Sequence, residues 1–130
     1  DEFMTDLLAA SEREYVQMLM VSLLIHSPIV TDFMRLTLAE ARRTYKPSLI
    51  SDAWSEFYNT RVRAYAELGG FSDSTVKKMG NNAIKALVDS GYLSDSRTKK
   101  IQPVYLIPEV KEWLVRLSRE DLIDVMECTI

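Results

Sequence analysis

The stretch Phe71 to Leu106, FSDSTVKKMGNNAIKALVDSGYLSDSRTKKIQPVYL, constrains what this chain can fold into more than any other. Residues with narrow conformational roles mark its punctuation. Ser72 can cap a helix, because its hydroxyl accepts a bond from an otherwise orphaned backbone N–H. Gly91 can stop that helix, since glycine enters the left-handed region without a Cβ clash. Between them, at about 100° per residue, Val76, Met79, Gly80, Ala83 and Leu87 share one apolar face. Ser74, Lys78, Asn81, Asn82 and Lys85 share the opposite face, flanked by Thr75 and Lys77. These outer groups can donate to phosphates and base edges.

After the glycine come Tyr92-Leu93, a polar run from Ser94 to Lys100, then Ile101 and Val104-Tyr105-Leu106. Short apolar runs around a tip carrying Arg97, Lys99 and Lys100 predict a small β-hairpin. A polar-faced helix followed by a basic hairpin is the order of winged helix-turn-helix DNA readers. There the helix enters the major groove and the hairpin touches the flanking backbone. The plainer reading of the same residues is a surface helix and a solvated loop.

The charge distribution bears on that choice. The 130-residue chain carries a net charge of −3, which argues against indiscriminate nucleic-acid binding. From Phe71 to Gln102, six basic residues face three acidic ones, a local +3, so the remainder carries −6. A basic patch on an acidic body steers a polyanion to one face. Apolar residues make up 47% of the chain, enough for a real core, and the length suits one domain with at most a small appendage.

Upstream, Phe3 to Ile25 reads as a helix, with Met4, Leu7, Leu8, Tyr15, Met18, Leu19, Ser22 and Ile25 at helical spacing. Tyr15 to Ile25 is apolar on nearly all sides, which predicts a central helix. A membrane span needs about 20 apolar residues. This run has 11, with Gln17 and Ser22 inside it, so no membrane role is expected. His26, the only histidine, suits a structural cap at the helix end. Pro28 starts a second helix, Ile29 to Tyr45. Its Arg35, Arg42 and Arg43 read as partners for Glu40 and nearby acids. Pro47 breaks it. Ser51 is a candidate cap for Asp52 to Leu68, whose Ala53, Trp54, Phe57, Tyr58, Val62, Tyr65 and Leu68 read as a buried stripe. Gly69-Gly70 is a turn. Beyond the hairpin, Pro108 to Leu117 forms a helix with Val110, Trp113, Leu114 and Leu117 inward. Ser118 to Asp121 resembles a capping box for a last helix, Arg119 to about Glu127.

The residues for most catalytic chemistries are missing. The chain has no glycine-rich phosphate loop, no metal-spaced Cys/His set and no nucleophile-elbow pattern. Its one cysteine, Cys128, can make no intramolecular disulfide, which fits a reducing cytosol. A non-enzymatic protein without cofactor or metal is expected. The start, Asp-Glu-Phe without an initiator methionine, suggests a fragment or a few foreign residues.

Phe71-Ser72-Asp73-Ser74-Thr75-Val76-Lys77-Lys78 with Ser90-Gly91-Tyr92-Leu93 resembles the "SDSTRKK…EAGLL" segment of the BrxA family, accessory proteins of BREX bacteriophage-defence systems. The Pro-started helix with Phe33, the aromatic helix with Trp54, Phe57 and Tyr58, and Ile101-Gln102-Pro103 before Pro108 are similar to the family pattern too. Val76 departs from it, standing where the family commonly has arginine, and family members extend further at the N-terminus. The resemblance implies a mostly helical, non-enzymatic protein working beside a methyltransferase and an ATPase. It also implies association with DNA and a likeness to the RNA-binding antitermination factor NusB. The family's loose inner-membrane label disagrees with the composition.

The expectation is a mainly α protein: a helical bundle with a C-terminal winged helix-turn-helix-like unit. Residues 1–68 form the helical core, 69–106 the recognition helix and hairpin, and 107–130 helices that return to the core. Double-stranded DNA is the expected partner, held by Ser74, Thr75, Lys77, Lys78, Asn81, Asn82, Lys85, Arg97, Lys99 and Lys100. A protein-interaction adaptor for other defence proteins, or an RNA-binding factor, are the competing readings. The expected compartment is the cytoplasm.

Overall fold

The most apolar run of the sequence supplies the centre of the molecule. The computed structural model describes the backbone of residues 2–127 and the side chains of residues 12–127. Met4, Leu7, Leu8 and Cys128 therefore lie outside the described side chains. Helix α1 (Glu2–His26) buries Gln17, Met20, Val21 and Leu24. It does not bury all its sides: Tyr15 is 65% exposed and Leu19 is exposed as well. Helices α2 and α6 pack on α1, which leaves that flank open. His26 caps the helix as expected, its Nδ1 donating to the Ser22 carbonyl at 2.8 Å.

Pro28 takes the first turn of α2 (Pro28–Phe33), where its missing N–H costs nothing. The expected helix to Tyr45 is interrupted. A π-helical turn, Met34–Leu38, joins α2 to α3 (Ala39–Arg43), and the helix ends two residues early. Among the described residues, no single helix is long and apolar enough to cross a membrane. Residues 12–26 and 28–43 pass that test only together, across a 105° bend. Their Val21, Leu24, Phe33, Met34 and Leu38 are buried in the protein's own core.

Helix α4 (Ala53–Ala64) buries Trp54, Phe57 and Tyr58 as the stripe predicts. Phe33 meets Trp54 and Phe57 edge-on, both with ring centroids 5.2 Å apart. Two details differ from expectation. Asp52, not Ser51, takes the cap position, without a side-chain bond. The helix stops at Ala64, and a 3₁₀ turn, Ala66–Gly70, follows. Tyr65 leaves the helix in extended conformation, so its ring is exposed, with the Arg61 guanidinium 4.7 Å above it.

Helix α5 (Asp73–Asp89) runs between the predicted cap and stop. The Ser72 hydroxyl accepts from the Thr75 N–H at 3.3 Å, and Gly91 takes φ +90°. The expected β-hairpin does not form as strands. It is reduced to one antiparallel bridge, Leu93 with Ile101, and a second bridge ties Lys100 to Ser48. Helix α6 (Pro108–Arg116) buries Val110 and Leu114, but Trp113 and Leu117, expected inward, are exposed. Ser118 caps nothing. It turns left-handed at φ 58° to close α6, and α7 starts later than expected (Asp121–Glu127). Buried residues from all three predicted segments, among them Leu24, Leu38, Leu87, Tyr92, Leu114 and Met126, join one core. The Tyr92 hydroxyl donates to the Met126 carbonyl inside it.

Candidate nucleic-acid interface

Helix α5 is placed by its smallest residue. Gly80 lies against the Trp54 indole so closely that an added Cβ would fall 2.3 Å from Trp54 Cδ1. The indole N–H donates to the Val76 carbonyl at 3.0 Å, fixing the helix in register on α4. With Gly80, Ala83, Ile84 and Leu87 turned inward, the polar face must turn outward. Ser74, Thr75, Lys77, Lys78, Asn81, Asn82 and Lys85 are all exposed.

These residues do not form one uniform surface. Lys77, Asn81 and Lys85, one turn apart, line an open groove of about 1070 Å³ between α4 and α5. Trp54, Tyr58, Val76 and Ile84 line the same groove, and Ser96 and Lys99 reach it from the loop. Thr75, Lys78 and Asn82 do not line it. Ser74 and Thr75 are tied to the helix cap: the Ser72 hydroxyl lies 3.2 Å from the Ser74 hydroxyl and donates to Thr75 Oγ1 at 2.9 Å. Asp73 and Asp89 also line the groove, so its charge is mixed along its length.

The basic loop is shaped by Asp95. Its carboxylate accepts from the Thr98 N–H at 2.6 Å, the Thr98 hydroxyl at 2.8 Å, the Arg97 N–H at 2.9 Å and the Ser94 hydroxyl at 3.3 Å. These donors, the Thr98 N–H foremost, hold its pKa down at about 2. Lys99 adopts a left-handed φ of 51° and is half-buried, while Arg97 and Lys100 are exposed. The loop is anchored on both sides. Ser94 N–H donates to Lys100 O at 2.9 Å, Leu49 N–H to Lys99 O at 3.0 Å, and Ile101 N–H to Pro47 O at 2.9 Å.

That last pairing brings up a segment missing from the sequence-based site. Residues 47–49 lie antiparallel to 99–101, which puts Lys46 at the edge of the basic loop. Pro47 signals only a helix break in the sequence, and no local pattern announces the pairing. None of the six basic residues between 71 and 102 has an acidic ion-pair partner among the described residues. Elsewhere Arg35 and Arg61 share Asp32, Arg43 pairs with Glu40, Lys111 with Glu127, and Arg119 with Asp121.

Comparisons with known proteins agree with this architecture. Over 87% of this chain and 60% of the other, a crystal structure of an uncharacterized protein from Magnetospirillum magneticum superposes with a TM-score of 0.80. At 23% identity that match establishes the fold alone. Among curated proteins, the BREX protein BrxA of Escherichia coli O9:H4 (strain HS) is 44% identical over 117 residues, covering 90% of this chain and 55% of that protein. The BREX protein BrxA of Paramagnetospirillum magneticum (strain ATCC 700264 / AMB-1) is 24% identical over 115 residues, covering 88% of this chain and 58% of that protein. The chain thus spans just over half the length of these relatives. A sequence model of BrxA matches residues 1–118. With that match across its helices and loop, the chain belongs to the BrxA family.

Proposed function

We propose that this chain is a non-enzymatic, nucleic-acid-binding accessory module of a BREX bacteriophage-defence system, working in the cytoplasm. Double-stranded DNA lies against α5 and the loop 93–101. One observation carries the reading: the cations of this region have no acidic ion-pair partner among the described residues, while five others on the same protein are paired. An unpaired surface ammonium can neutralise a phosphate without first losing an internal partner. In this reading Lys77, Lys78, Lys85, Arg97, Lys99 and Lys100 meet phosphates. Asn81 and Asn82 face base edges, where a carboxamide pairs well with adenine. Ser74 and Thr75 add hydroxyls at the helix start.

The chain order supports a winged helix-turn-helix reading. Segment 47–49 pairs with 99–101, which pairs with 92–94, and α4 and α5 stand between the first and last of these. In this reading the three segments serve as a wing in miniature, held by single bridges. A second reading, an adaptor for other defence proteins, draws on the exposed Tyr15 and Leu19 of α1. An RNA-binding role is the third reading: Trp54, Phe57 and Tyr58 are buried and cannot stack on bases, whereas Phe71 is exposed beside the groove.

The test is fluorescence anisotropy with a labelled duplex and an RNA of equal length. Duplex binding is expected, lost in a Lys77→Glu/Lys78→Glu/Lys99→Glu variant that keeps the native circular dichroism spectrum. Undiminished binding by that folded variant would overturn the reading. Preference for the RNA would replace DNA by the NusB-like alternative. No binding to either, with co-purification of a defence protein, would favour the adaptor.

A further inference from the structure

We infer that the corner Tyr45–Lys46 is a second contact for the phosphodiester backbone of the same duplex, beyond the basic loop; this rests on the DNA-binding reading above. Helix α3 ends in a paired-hydrogen-bond turn. Lys46 N–H donates to Ala41 O at 2.9 Å and Tyr45 N–H to Arg42 O at 3.1 Å. That turn requires a left-handed residue at its centre, usually glycine. Helix α5 ends the same way on Gly91, at φ +90°, and α6 on the small Ser118. At α3 the position holds Tyr45, at φ 61° and 93% exposed. A bulky side chain is strained there, and this ring gains no packing to offset the strain. Folding alone would favour glycine, so the phenol serves something outside the fold.

Its neighbours suggest what that is. Lys46 is exposed and has no ion-pair partner among the described residues, whereas the Arg42 guanidinium donates to Glu127 O and Arg43 pairs with Glu40. Glu56 and Glu40 share a shallow pocket with Lys46, and Glu40 is engaged by Arg43. Ser48 stands opposite Lys100 in an antiparallel bridge. Pro47 bends the chain between Lys46 and Ser48, and its carbonyl accepts from the Ile101 N–H at 2.9 Å, so Lys46 stands one residue from the segment that pairs with the loop. The corner is thus joined to the basic loop through the backbone of 47–49. A phenol hydroxyl donating to a phosphate oxygen and an ammonium neutralising it are the two groups such a backbone takes.

The experiment uses the whole chain, thermal melts and duplex titrations. Tyr45→Gly should raise the melting midpoint by about 2–4 °C, because the left-handed strain is relieved, and weaken duplex binding roughly threefold to tenfold. A purely structural tyrosine cannot give those opposite signs. Lys46→Ala should leave the midpoint in place and make the log–log salt slope about one unit shallower. Ser118→Gly is the control: a higher midpoint and unchanged binding. If the wild-type chain binds duplex and both corner variants bind equally well, this inference falls alone. A wild-type chain without duplex affinity would overturn it together with the DNA-binding reading.

Discussion

Trp54 and Gly80 are locked together: the indole occupies the space a Cβ on residue 80 would need, 2.3 Å from Cδ1, while its N–H bonds the helix one turn earlier at Val76. The ring cannot easily step aside, since Phe33, Phe57 and Tyr58 surround it with centroids 5.2, 5.5 and 6.0 Å away. Everything α5 presents to solvent depends on this seat.

Gly80→Ala should therefore destabilise the fold. Alanine adds about 1 kcal/mol of helix propensity, but overpacking typically costs about 1–3 kcal/mol, and this approach is at the severe end. A lower melting midpoint, read by circular dichroism, is expected. A higher one would mean that the indole moves freely.

Gln17 is the single buried polar side chain of the described core, and both ends of its amide are used. Nε2 donates to Tyr105 O at 3.1 Å, and Oε1 accepts from Ile107 N–H at 2.9 Å. It fastens α1 to the entry of α6. Gln17→Leu should cost about 1 kcal/mol, because two part-buried backbone groups lose their partner. Denaturant unfolding checks this, with an unchanged midpoint as the contrary result.

Asp95 makes the basic loop pH-dependent. Its pKa is lowered from 3.8 to about 2, chiefly by the Thr98 N–H and hydroxyl. A depressed carboxyl contributes order above its unfolded value and loses it as pH falls through the folded one. Loop order should thus hold above about pH 4 and fade as the pH approaches 2. Amide exchange at Thr98 and Arg97 reports it directly. Asp95→Asn should speed exchange at those amides at neutral pH with little effect on the global midpoint.

The lysines and asparagines of α5 should behave differently toward DNA. With about four to six phosphate contacts, the log–log salt slope should lie near −4 to −5. Lys85→Ala should make it shallower by about one. Asn82→Ala should leave the slope unchanged and lower the preference for one duplex over another by about 1–3 kcal/mol at a contacted base pair. Identical effects of both changes would mean that the asparagine and the lysine play no separate roles.

Local signals read well from the chain where one residue's own chemistry settles the conformation. Ser72, Gly91, Pro28 and Pro108 delimit helices because cap, left-handed turn and missing N–H act within a few bonds. The outward face of α5 was likewise legible, since apolar spacing alone turns it. Burial of Tyr15, Tyr65, Trp113 and Leu117 was not legible, because a stripe shows which residues would accept a cover and not whether a neighbour arrives to provide it. Nor was the fate of the hairpin, or the place of Lys46. Those depend on 47–49 meeting 99–101 across about fifty residues of chain. Which elements meet is decided by how the shared core closes around Trp54, Leu87 and Tyr92, a property of the assembled tertiary structure that no short window of sequence contains.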